Sequence, residues 1–80
     1  MHELGVLKNA VNTVVNVAKT NHIEKIKFLT LEIGENSSFV PAFFEKLFPV
    51  AIDGIKLFKE AQLKLISVPG KNLVIKEIGY

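Results

Sequence analysis

Eighty residues, 49% of them apolar and 22% charged, with a formal charge of +2, describe one small domain that needs a packed core to fold. Cysteine is absent, which excludes disulfides and thiolate zinc sites and leaves packing, aided by self-association, to hold the structure. The basic residues are all lysines, scattered between apolar positions, so they read as solvated faces and not as a nucleic-acid surface. No apolar run approaches the roughly 18 residues that would span a bilayer, and the N-terminus lacks the pattern of a signal peptide. We expect a soluble, cytoplasmic protein with no membrane or nucleic-acid partner.

In chain order, Leu4, Leu7, Val11, Val14, Val15 and Ala18 recur at helical spacing, with Lys8, Asn9, Asn12, Asn16 and Lys19 opposite. This predicts a helix from about Leu4 to Thr20, with its exit at Asn21-His22 because asparagine tolerates the left-handed turn. Ile23 to Ile33 changes to a period of two and predicts a strand, followed by a loop over Gly34-Glu35-Asn36-Ser37-Ser38. A second helix starts near Pro41 and buries Phe44, Leu47, Phe48 and Ala51, with Pro49 kinking it or ending its regular part early.

Strands are predicted for Ala61 to Val68 and Leu73 to Ile78. Pro69-Gly70-Lys71-Asn72 between them matches a type II turn and predicts an antiparallel hairpin. The order is α-β-α-β-β. We therefore expect an α/β (α+β) domain over residues 1–80, with two helices packed on one face of a three-stranded sheet. Its core should contain Leu7, Val11, Val14, Leu29, Leu31, Phe44, Leu47, Phe48, Leu63 and Leu65.

The residues with the clearest chemistry are the first three. The amine of Met1, the backbone nitrogen of residue 2 and the imidazole of His2 can chelate one metal in fused rings, a nitrogen-rich set suited to Ni(II) or Cu(II). Glu3 can close the fourth position or support the site from behind. The bland reading makes His2 and Glu3 polar residues at a frayed end, with Glu3 at the positive end of a helix dipole. His22 reads as an exposed loop residue. Glu32 and Glu35 read as an outward strand charge and a loop charge, and no nucleophile, general base or phosphate-cradling glycine set is present. An enzyme is not expected.

Met1-His2-Glu3, the run Leu31-Glu32-Ile33-Gly34-Glu35 with Ser37, then Pro41, Phe44, Phe48 and Gly54, Ala61-x-Leu63, and Leu73-x-Ile75-x-x-Ile78 together resemble the HypA/HybF hydrogenase nickel-insertion family. The resemblance implies a nickel metallochaperone for [NiFe]-hydrogenase, and by extension urease, with Ni(II) held by Met1, His2 and Glu3. It also implies a nickel-binding GTPase partner and the hydrogenase large subunit as recipient, and leaves a homodimer open. The family carries a zinc module with paired Cys-x-x-Cys between its last two strands. Here Pro69 to Asn72 joins those strands directly, so only the nickel-binding domain is matched and no zinc is expected. Val40 stands where the family often has an acidic residue. A small protein–protein interaction domain that keeps the fold without metal transfer is the alternative.

Overall fold

The computed structural model describes residues 2–80, with α1 (Glu3–Thr20), β1 (Phe28–Gly34), α2 (Pro41–Ala51), a single 3-10 turn (Lys56–Phe58), β2 (Gln62–Val68) and β3 (Leu73–Gly79). The three strands form one mixed sheet in the order β2-β1-β3. β1 pairs in parallel with β2, from Phe28 opposite Gln62 to Gly34 opposite Val68. A parallel neighbour needs a crossover, and α2 with the 3-10 turn supplies it. β3 then lies antiparallel on the other edge of β1, with a shift of register between Thr30 and Leu31.

This order corrects the expected hairpin. β2 and β3 do not pair with each other, because β1 stands between them. The physical reason lies in β1, where Leu29, Thr30, Leu31, Ile33 and Gly34 are all buried. A strand covered on both faces belongs in the middle of a sheet, whereas β2 and β3 alternate half-buried and exposed as edge strands do. The 69–72 turn keeps the expected chemistry, with Gly70 at φ +107, but it straddles the end of β1. There Gly34 N–H donates to the Asn72 carbonyl at 2.8 Å, Glu35 N–H to Val68 at 2.7 Å and Asn36 N–H to Gly70 at 2.8 Å.

One core joins the layers. Leu7, Ala10, Val11 and Val14 of α1 meet Phe44, Phe48 and Ala51 of α2 over Leu29, Leu31 and Ile33 of β1. Leu47, Leu63 and Leu65 are only half-buried at its margin. Two residues close the core from irregular segments. Ile26 is fully buried and its N–H donates to the Leu57 carbonyl at 2.9 Å, and Phe58 packs edge-on against Phe48 at 6.3 Å. Residues 23–27 are therefore not strand. Ile26 is tied to the 3-10 turn and Lys27 to Gly79 and Gln62, and β1 begins only at Phe28.

Pro49 neither ends nor shortens α2, which continues to Ala51. The bond that proline removes would reach the carbonyl of Glu45, an exposed position where water can replace it. The exit of α1 falls at the expected place with the roles exchanged. Asn21 stays at φ −102 and His22 takes the left-handed conformation at φ +57. Ile23 N–H then donates to Ala18 and His22 N–H to Lys19, the paired bonds of a Schellman end. No helix among the described residues is long and apolar enough to cross a membrane.

Candidate metal centre

α1 begins where the sequence concentrates its donor atoms. His2 is the N-cap of α1, and its carbonyl accepts the Val6 N–H at 3.0 Å. Its imidazole makes no capping bond and is exposed, so its nitrogens are not spent on the helix. Met1, which would supply the terminal amine, lies outside the described residues.

Glu3 is placed quite differently from a residue at a frayed end. It is 2% exposed, and its Oε2 accepts the Val40 N–H at 3.1 Å across 37 residues of sequence. Val40 is the N-cap of α2 and has no side-chain acceptor to offer. Pro41 follows it, and the first turn of α2 contains no acidic residue. Glu3 therefore caps a second helix while sitting in the first turn of its own, and its charge meets the positive ends of both. Side chains on a helix lean toward its N-terminus, which aims this carboxylate back toward residue 2. The surface beside it is apolar, with Val40 and Phe43 both exposed, while Phe39 turns in against Phe44 at 5.6 Å.

The other polar residues singled out by sequence are not brought to this end. His22 closes the far end of α1, and 18 helical residues span about 27 Å, so the two histidines cannot share an ion. Glu32 is half-buried with Lys76 Nζ at 3.8 Å, and Glu35 is exposed in the loop after β1. Among the described residues, no three His, Cys, Asp or Glu side chains converge as a metal cage. A metal at this terminus would have to use backbone or terminal nitrogens beside the imidazole. The Glu3–Val40 bond was invisible in the sequence, since its donor is a backbone group of an apolar residue. Its one trace is a helix start, Val40-Pro41-Ala42, with no polar cap of its own.

Residues 1–73 match the family model described as hydrogenase/urease nickel incorporation, metallochaperone, hypA. The chain is 40% identical over 70 residues to the hydrogenase maturation factor HypA of Trichodesmium erythraeum (strain IMS101), covering 88% of this chain and 58% of that protein. It is 32% identical over 69 residues to the hydrogenase maturation factor HypA of Methanocella arvoryzae, covering 86% of this chain and 60% of that protein. It thus spans less than two thirds of the length of these curated relatives. The fold is similar to the solution structure of the Ni metallochaperone HypA from Helicobacter pylori, with a TM-score of 0.77 at 20% identity over 96% of this chain and 88% of that one.

Proposed function

Because the chain belongs to the HypA family of hydrogenase/urease nickel-incorporation proteins, we propose that it is a non-enzymatic nickel-binding domain serving the maturation of a [NiFe]-hydrogenase or a urease. Ni(II) is its cargo. The ion is taken by the Met1 amine, the backbone nitrogen of residue 2 and the His2 imidazole, with Glu3 completing or supporting the set. The observation that carries this reading is the state of His2, whose imidazole is exposed and uncommitted at the very start of α1. Nitrogen donors in fused five- and six-membered rings favour the square-planar geometry that Ni(II) accepts. Such a site is shallow and open on the solvent side. A partner can therefore replace one donor at a time, and transfer proceeds by ligand exchange without unfolding the domain. The natural partners on this reading are a nickel-binding GTPase and the large subunit of the recipient enzyme. No zinc is needed, since no thiolate is available to hold it.

The test is calorimetric nickel titration of protein with an authentic, free Met1. His2→Ala should lose most of the affinity, as should a single residue added before Met1, which displaces the amine from its chelate ring. His22→Ala should lose almost none. A nickel isotherm indifferent to both the extension and His2→Ala would remove this reading and leave the interaction-domain alternative in its place.

A further inference from the structure

Resting on that reading of the N-terminus, we propose that Glu3 is a positioning residue and not a nickel ligand. Its carboxylate stays on the Val40 N–H when the ion binds and thereby fixes the metal-holding terminus against the start of α2. The bond at 3.1 Å is almost completely buried on the Glu3 side and part-buried as a whole, so it lies in surroundings where a hydrogen bond to a charged acceptor is stronger than in open water. Moving Oε2 onto an ion would uncap α2, and the described residues nearby offer no ready replacement. Val40 carries no acceptor, Pro41 carries no N–H, and the nearby Ser37 Oγ already accepts from the Phe39 N–H at 3.4 Å.

The same bond does something useful for a site built from terminal atoms. Each chelating atom of a metal site must be held in place when the ion arrives. Glu3 is the residue immediately after His2, so anchoring it to α2 fixes the backbone from which the His2 donors project. Restricting a ligand set before binding raises affinity without adding a contact to the ion. The negative charge also stays close by, behind the site, where it favours a dication.

The discriminating variants are Glu3→Gln, which keeps an oxygen acceptor for Val40 but is a far poorer ligand, and Glu3→Ala, which removes both roles. With authentic Met1 in place, Glu3→Gln should bind nickel within about threefold of the wild type and show its Ni(II) visible absorption band unshifted. Glu3→Ala should weaken nickel by about tenfold or more. The Val40 amide should be protected from hydrogen exchange in both metal-free and nickel-loaded wild type, and unprotected in Glu3→Ala. A shifted band in Glu3→Gln, or loss of Val40 protection on loading, would place the carboxylate on the metal and overturn the inference. Glu3→Ala binding as tightly as wild type would overturn it too, by reducing the bond to a purely structural one. Wild-type protein that binds no nickel while its Val40 amide is protected would overturn the nickel reading itself, and this inference with it.

Discussion

Gly34, the last residue of β1, lies directly under Gly70 in the turn that carries the chain from β2 to β3. A Cβ built on Gly34 would fall on the Gly70 carbonyl and within 2.8 Å of the Lys71 nitrogen. The contact is the reason the last two strands can flank β1 through only four residues. The turn must pass close over the end of the central strand, and only a residue without a side chain permits it. Gly34→Ala should therefore destabilise the domain by about 1–3 kcal/mol, since the clash is with backbone that has no rotamer to give. Urea unfolding checks this. A variant as stable as wild type would mean that the turn has room to lift off β1.

The second helix offers a paired comparison four and five residues apart. Phe48 is nearly buried against Phe58, and Phe44 is fully buried beside Phe39, whereas Phe43 is 49% exposed. Phe48→Ala should cost about 3–5 kcal/mol through lost burial and the cavity left behind. Phe43→Ala should stay within about 0.5 kcal/mol. Equal effects at the two positions would mean that α2 is rotated about its axis from the orientation described.

At the end of α1, His22 holds φ +57, a region where a side chain is strained by about 1–2 kcal/mol. Replacing it with glycine removes that strain but gives the unfolded chain more freedom, which offsets part of the gain. His22→Gly should raise stability by a net of about 0.5–1 kcal/mol, measured by thermal or chemical unfolding. The nickel isotherm should be unchanged, because this residue is a helix length away from His2.

Ahead of β1 and of β2, Lys25 Nζ meets Glu60 Oε1 at 2.8 Å on the surface. The hydrogen bond from Lys25, and then its charge, hold the Glu60 carboxyl below the ordinary glutamate range. A depressed carboxyl contributes stability above its unfolded-state pKa, and that contribution is lost as pH falls through the lower, folded value. Both side chains are well exposed, so the contribution is small and screened by salt. Carboxyl NMR titration should show Glu60 titrating at higher pH in Lys25→Ala than in wild type, with the difference shrinking at high salt. Identical titrations would mean that the pair is not formed in solution.

What the chain discloses before folding depends on how local each determinant is. The face of α1 from Leu7 to Ala18 and the alternation through β1 are carried by neighbouring residues, so both were legible. The exchange of roles between Asn21 and His22 was not. Both residues can end a helix, and the outcome rests on which amides reach Lys19 and Ala18. Strand order was misread for a related reason. Pro69-Gly70 is a good turn whether its strands pair or are parted by a third, and only the burial of β1 on both faces decides. Met1-His2-Glu3 is donor chemistry by residue type alone, which folding neither supplies nor removes. The anchoring of Glu3 was not legible, because a backbone N–H at Val40 has no residue-type signature and lies 37 positions away.

The linkage between nickel and folding measures how far that anchoring matters. Purely local donors, an amine and a histidine two residues into the chain, bind an unfolded chain as readily as a folded one. Ligand that binds both states equally leaves the unfolding midpoint unmoved however tight it is. If the Glu3–Val40 bond orders the terminus and thereby favours folded protein tenfold, saturating nickel adds about 1.4 kcal/mol, the free energy of one factor of ten. For a domain of this size that is a rise of roughly 6–11 °C in Tm. Glu3→Ala should still bind nickel but lose this rise, and His2→Ala should lose both. Lowering the pH should erode the rise in wild type, because protons compete for the same amine and imidazole nitrogens. With no nickel added, a chelator should leave the wild-type midpoint where it was. Differential scanning calorimetry of the three proteins, with and without nickel, separates these outcomes. A nickel-saturated wild type that melts where the metal-free protein does would show that the fold gives the terminus no help in holding the ion.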